Sequence, residues 1–353
     1  MLRNVIVAAA LLLSACSGAL HIRDADHRVG GYAEPPACRA PAATSLSTDA
    51  VRWIEADNAK DRSTLDEWCR SVGPAVIVQP AAATVPPHLD QVSVVSWNVD
   101  VGGGDLDALL ESARGQPLVV LVQEAYRDGA LVPRLAHAAP ARIAPSPPSG
   151  HRRSIVETAR RHGLALFYVP SMRNGRGVEP DGAEDRGNAI LSTLPLSDFT
   201  AIELPFEHQR RVAVAARVRV RDATGVESML QIVSAHVDVQ SSWQRGRFLW
   251  FGRVRQTRAL LAAVADLPDP KILGGDFNSW LGENEPGVRE ARNRFPQTPA
   301  AAAHVTFPLL GPLGFHLDHL FFRLPPGWTA AVSRIDDRRG SDHYPLVASL
   351  KPS

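Results

Sequence analysis

Lysine is nearly missing from this chain of 353 residues: Lys60, Lys271 and Lys351 are its only lysines, and the remaining basic side chains are arginine apart from histidine. A skew of this kind reflects codon bias more than a binding role. Net charge is missing too, with 38 Lys and Arg against 37 Asp and Glu, so no global field draws in polyanions. Cysteine is confined to Cys16, Cys38 and Cys69, which excludes a cysteine cage for a metal. The apolar run from Val5 to Leu13 is too short to span a bilayer. No internal repeat is visible from residue 91 onward. The length allows one large domain or two ordinary ones, with ample buried core.

What is present begins with an export pattern. MLRNVIVAAALLLSACSGAL carries one charge, Arg3, then an apolar run and small residues. Leu13-Ser14-Ala15-Cys16 resembles the bacterial lipobox, which implies a signal peptide over residues 1–15 and lipidation of Cys16. Ser17 in place of Asp favours the outer membrane over the inner, with the protein facing the periplasm. The membrane is then a partner through acyl chains; no protein partner is inferable. Cys38 and Cys69 remain as a possible disulfide in an oxidising compartment. Residues 16–90 form an N-terminal extension in which Pro/Ala clusters alternate with DAVRWIEADNAKDRSTLDEWCRSV. There Val51, Ile54, Leu65, Trp68 and Val72 fall near helical spacing, predicting an arm packed on the main domain. The linker VQPAAATVPPHLD closes it.

From residue 91 to 353 the texture changes to short apolar runs that end in polar clusters: QVSVVSWNVD, PLVVLVQEAY, LALFYVPSM, NAILSTLPL, RVAVAARVRV, MLQIVSAHVD, KILGGDFNS, HLDHLFFR and DHYPLVASL. These read as strands. Helical patterns lie at 105–114, 154–162 and 246–267, and the Pro-rich 138–150 reads as loop. Mixed strands and helices with hairpin-length links predict an α/β sandwich of two packed sheets.

The strand ends carry Asn98, Glu124, His236, Asp276, Asn278, Asp318, Asp342 and His343. In chain order the motifs SWNVD, VQEAY, GNAILS, SAHVD, GGDFNS, LDHLFF and SDHYP resemble those of the endonuclease/exonuclease/phosphatase superfamily. That group includes DNase I-like nucleases, neutral sphingomyelinases and inositol-polyphosphate phosphatases. The resemblance implies a DNase I-like four-layer α/β sandwich as the catalytic domain, residues 91–353, with these side chains at one edge of the two sheets. It also implies roles. Glu124 is the first metal ligand, Asp342 the second, and Asn98 helps bind metal or phosphate. Asp276 orients or deprotonates water, and Asn278 hydrogen-bonds phosphate or nucleophile. His236 contacts phosphate or protonates the leaving oxygen. His343 stabilises the transition state with Asp318 holding its ring. His316 is a departure, since relatives often have Arg there.

The chemistry is sensible on its own terms. Cleaving a phosphate ester in water needs a charge-neutralising cation, an oriented water and donors for developing negative charge. A hard cation, Mg²⁺ or Mn²⁺, takes oxygen ligands of this kind. Gly274 and Gly275 allow close backbone approach before Asp276 and Asn278, which point the same way on an extended chain. Three functions remain open: a metal-dependent phosphodiesterase acting on nucleic acid, a phospholipid or sphingomyelin phosphodiesterase, and a non-enzymatic binding protein. Arg173, Arg176, Arg186, Arg210 and Arg211 offer either a basic rim or a solvated face. Trp243, Phe248, Trp250 and Phe251 lie in a stretch that would stack bases, touch lipid, or cap the helix continued by Leu260, Leu261 and Val264.

Overall fold

Strands that are apolar on both faces must be covered on both faces, and the architecture follows from that demand. The computed structural model describes residues 27–32, 38, 51–55, 59–79, 92–146, 151–176, 179–221, 225–239, 250–300, 305–310 and 313–352. Among them, one sheet of nine strands runs in the order β1 (His27–Tyr32), β6 (Leu135–Pro145), β7 (Ala165–Arg176), β8 (Glu179–Ser192), β5 (Leu118–Asp128), β4 (Val92–Asn98), β17 (Leu346–Pro352), β16 (Trp328–Arg334), with β3 (Val76–Val78) paired to β7. The other sheet, of six, runs β15 (Asp318–Arg323), β12 (Lys271–Asp276), β11 (Glu227–His236), β10 (Val212–Arg221), β9 (Leu196–Glu203), β2 (Arg52–Ile54). A small hairpin joins β13 (Phe307–Leu310) to β14 (Leu313–Phe315). The helices are α1 (Ala59–Cys69), α2 (Leu106–Ser112), α3 (Ile155–Arg161), α4 (Phe251–Ala265) and α5 (Pro286–Arg294).

Period-two alternation sorts the side chains into layers. Val92 and Val94 of β4 and Leu121 of β5 meet Val212, Val214, Ile232 and Ile272 of the other sheet in the central core. Val95 and Trp97 face the opposite way, onto Leu106 and Leu109 of α2 and Ile155 of α3. Across the molecule Val233 and Leu273 face Leu260, Leu261 and Val264 of α4 and Val288 of α5. The result is helices, sheet, sheet, helices: a four-layer α/β sandwich. Each buried Val, Leu or Ile contributes about 1.5–3 kcal/mol relative to exposure.

Two expectations are corrected. The stretch read as one helix starts as a strand: β2 pairs in parallel with β9, Arg52 opposite Thr200 and Ile54 opposite Ile202, and α1 begins only at Ala59. Trp53 and Ile54 pack on sheet cores, so long-range pairing overrides the local spacing. Most of the Pro-rich 138–150 belongs to β6 rather than to a loop. Pro140 is accommodated because the β1–β6 register skips from Ala136 to Ala141, leaving it where no ladder bond is needed.

Where it is described, the 16–90 segment is woven into both sheets, through β2 and through β3 on β7. A disulfide joins Cys38 to Cys69, with their Cα atoms 5.7 Å apart. Closing a loop of that size stabilises by about 3.7 kcal/mol on the chain-entropy model. α1 is tied down by Asp61, fully buried, which accepts from Arg255 at 3.1 Å, and by Trp68 against Phe206. Cys16, the signal segment 1–15 and residues 80–90 of the linker lie outside the described residues.

Candidate active site

Strand register brings the predicted residues together. In the second sheet His236 ends β11 directly opposite Asp276 at the end of β12, and Asp276 stands opposite Asp318 at the start of β15. The three form a row across one sheet edge. The other sheet supplies Asn98 at the end of β4, opposite Gln123 of β5. Glu124 follows in a β-bulge, where its φ is 52°; a bulge re-aims a side chain and is a strained choice for Glu. His343 precedes β17 and is fixed by Trp97 Nε1 donating to its carbonyl at 3.1 Å. Ser341 Oγ accepts from the His343 amide at 3.0 Å and donates to the Asn98 carbonyl at 2.6 Å.

The sheets are joined at the site by Asn98 Nδ2 donating to Asp276 Oδ2 at 2.9 Å. The Asn278 amide donates to Asp276 Oδ1 at 2.8 Å, so both carboxyl oxygens are held. Gly275 makes this possible: a Cβ there would lie 1.8 Å from the Ala235 carbonyl oxygen, and its φ is 154°. His343 Nδ1 lies 2.7 Å from Asp318 Oδ2, and its Nε2 faces Asp276 Oδ2 and Asp342 Oδ1, each at 3.8 Å. Asp342 is half-buried, with its side chain 30 % exposed. Asp276, Asp318 and His343 bring their ligand atoms within 4.8 Å of one another.

Burial dictates the electrostatics. It pushes the Asp276 carboxyl up, and the charge of Asp318 adds to it, to about 6, against the pull of His343 and the bonds from Asn98 and Asn278. Burial alone would depress the His343 ring, but Asp318, Asp342 and Asp276 outweigh it and push its pKa up to about 10. The site thus holds an imidazolium against an excess of carboxylates.

Arg211 is, from sequence, only a candidate for rim or solvated face. It is 2 % exposed, and its Nη1 lies 3.2 Å from His236 Nδ1. Guanidinium only donates, so Nδ1 accepts from Arg211; Nε2 lies 3.5 Å from Asp276 Oδ2. Asn278 Nδ2 lies 3.2 Å from the same Nε2 and donates to the Val237 carbonyl at 3.0 Å. Asp238, the last residue of SAHVD, holds Arg211 at 3.5 Å.

Both the basic rim and the solvated face are corrected: Arg173, Arg186 and Arg210 are also buried, donating to Pro133, Pro145 and Pro170 carbonyls respectively. The side chain of Arg176 and residues Trp243 and Phe248 lie outside what is described. Trp250 and Phe251 are 37 % and 52 % exposed at the start of α4, while Leu260, Leu261 and Val264 are buried as expected of a core-facing helix. Trp97 and Ser341 are site residues the sequence did not single out, and Arg211 was given no place beside His236. Ser341 had a local signal, two residues before His343.

A family model, the Endonuclease/Exonuclease/phosphatase family, matches residues 95–343. No curated protein matches significantly. Among solved structures, an endonuclease/exonuclease/phosphatase from Beutenbergia cavernae DSM 12333 shares the fold, with 16% identity and a TM-score of 0.52 over 75% of this chain and 72% of that one. The human Nocturnin catalytic domain with bound sulfate is 15% identical at a TM-score of 0.48, over 80% and 98% of the two chains. A Staphylococcus aureus beta toxin mutant with bound magnesium ions is 14% identical at 0.45, over 73% and 99%.

Proposed function

Because this chain belongs to the endonuclease/exonuclease/phosphatase family, we propose that it is a phosphodiester hydrolase that uses water as nucleophile and depends on a divalent cation, Mg²⁺ or Mn²⁺. The observation that carries this is the row His236, Asp276, Asp318, closed by His343 on Asp318 at 2.7 Å and by Asn98 on Asp276 at 2.9 Å.

The donor set fits a hard cation. Glu124, Asp276, Asp318 and Asp342 bring carboxyl groups to one edge, and the Asp276 carboxyl is pushed up first by burial and then by the charge of Asp318. Oδ1 of Asp318 is buried with no hydrogen bond, a cost that a nearby cation would relieve. Glu124 and Asp342, with Asn98 beside them, are the residues that would hold it, at the edge where Asp318 Oδ1 lacks a partner. When bound, the cation supplies neutralisation of phosphate charge and polarisation of a phosphoryl oxygen.

The chain's own groups do the rest. Asp276, clamped at both oxygens, orients a water and accepts its proton as the oxygen–phosphorus bond forms. His343 is charged at neutral pH, keeps one proton on Asp318 and presents Nε2–H, which makes no hydrogen bond to protein, to the developing charge on the phosphoryl oxygens. His236 presents Nε2–H to the phosphate or the leaving oxygen as the phosphorus–oxygen bond breaks. Asn278 stands beside it as a second donor.

Glu124→Gln is expected to raise the Mg²⁺ concentration for half-maximal activity by about tenfold or more, with partial recovery at high Mg²⁺. A Mg²⁺ titration that superimposes on the wild-type curve would remove Glu124 from the metal site.

Nucleic acid is the first substrate class considered. A phospholipid or sphingomyelin phosphodiester is the second, favoured by the exposed Trp250 and Phe251. Rates on DNA, RNA, sphingomyelin and phosphatidylcholine separate the two. The lipid reading also draws on export as a lipoprotein anchored at Cys16. Among the described residues no helix is long and apolar enough to cross a membrane. Cys16→Ser is expected to move the protein into the soluble fraction, because acyl chains supply its membrane affinity; unchanged membrane fractionation rejects the anchor.

A further inference from the structure

A second group of metal-ligating side chains stands on the far face of β15 from Asp318. His319 alternates with Asp318 along the strand and packs with Phe277 and Phe321 under the helices. Beside it are His316 and, from the 3-10 turn Gly282–Asn284, Glu283. One atom from each of the three lies within 4.8 Å of the others.

The protons can be assigned from the hydrogen bonds. Ser279 Oγ donates its single proton to the His316 carbonyl at 2.8 Å, so it must accept from His319 Nε2, 2.7 Å away. In the neutral ring His319 Nδ1 is then a lone pair, and it points at Glu283 Oε1 from 3.3 Å. Two lone pairs facing each other are reconciled either by a proton on Nδ1, which makes a His319–Glu283 hydrogen bond, or by a metal ion between them. A proton on Nδ1 would serve that pair alone. His316 Nδ1 lies 3.8 Å from the same oxygen, and the two imidazoles are tilted against each other with centroids 4.3 Å apart, a spacing at which two imidazolium rings repel. Glu283 Oε2 is engaged by Arg292 Nη1 at 2.9 Å, which leaves Oε1 as the single oxygen aimed at the histidines.

We propose that Glu283, His316 and His319 form a second metal site, distinct from the catalytic one, for a zinc-class divalent transition metal. Two imidazole nitrogens and one carboxylate oxygen form a borderline-soft set that selects zinc-like ions over Mg²⁺. Ligands about 2.0–2.2 Å from a tetrahedral ion sit roughly 3.3–3.6 Å apart, so the observed 3.3 and 3.8 Å require little movement. The Ser279 hydroxyl on His319 and Arg292 on Glu283 are the outer partners that hold such ligands in aim. A cavity of about 30 Å³ bounded by Glu283, Arg292, His316 and His319 leaves room for one water as fourth ligand. The ion would clamp the turn after Asn278 to the residues on either side of Asp318.

The test uses the purified full chain, stripped with EDTA and dialysed into buffer with excess Mg²⁺. Zinc is expected to bind at one equivalent, to raise the unfolding temperature, and to be retained by Glu124→Gln. Cobalt in its place should show the visible bands of a tetrahedral site. His316→Ala and Glu283→Gln, each checked for native circular dichroism, should weaken zinc binding by about a hundredfold or more and lose those bands. The proposal is overturned if the wild type binds no zinc, or if zinc affinity survives in both variants. It is equally overturned if Glu124→Gln alone abolishes zinc binding, since the ion then sits in the catalytic site.

Discussion

His343→Ala is expected to lower kcat about a thousandfold or more, on the order of 4 kcal/mol in the barrier, at every Mg²⁺ concentration. Its Nε2–H is aimed at charge that appears only in the transition state, so KM should change far less. The alanine also leaves Asp318 buried and without its partner at 2.7 Å, so a circular dichroism spectrum should accompany the rate. Asp318→Asn gives the sharper reading. Asp318 acts through His343 and is the foremost of the carboxylates that push the ring up to about 10. Protonated His343 is the active form, so activity falls as pH rises through its pKa, and without Asp318 the fall should begin at lower pH. The loss at neutral pH should be milder than for His343→Ala and partly restored by acidifying. If His343→Ala keeps wild-type kcat on a substrate the enzyme turns over well, the role assigned to it is wrong.

Asp276→Asn is expected to cost a similar factor, about a thousandfold, because an amide cannot take the proton of the attacking water. Asparagine keeps the size of the side chain and the acceptor for the Asn278 amide, so folding should survive. The pH profile carries the sign. The ionised carboxylate is the active form, its pKa is pushed up to about 6 without metal, and activity should therefore rise with pH through that value. A bound cation favours the ionised form and moves the rise below it. In Asp276→Asn the acid limb should vanish; a limb that persists unchanged assigns it to another group.

How much of this was legible beforehand depended on whether the cause was local. Strands covered on both faces announce themselves as apolar runs, and Asn98, His236, Asp276 and Asp318 could be read because the first three sit where such a run ends and Asp318 where one begins. Their meeting in one row follows from register between β11, β12 and β15, which no single strand encodes. The misread parts had distant causes. β2 was hidden in a helical spacing because its partner, β9, lies some 150 residues away, Arg52 pairing with Thr200. The arginines look like surface in the sequence because their acceptors, such as Glu203 for Arg210 at 2.6 Å and Asp238 for Arg211 at 3.5 Å, are visible only once the chain is folded. Glycine was more informative: the pair before Asp276 marked the close approach that a Cβ at Gly275 would block.

The most direct test of the account is hydrolysis of a phosphodiester panel covering DNA, RNA, sphingomyelin and phosphatidylcholine, with Mg²⁺, after excess EDTA, and after Mg²⁺ is restored. The site described here predicts turnover of at least one member with Mg²⁺, loss of that turnover in EDTA, and its return on restoring the cation. Equal rates in excess EDTA, or no cleavage of any member by folded protein with Mg²⁺ present, would contradict it.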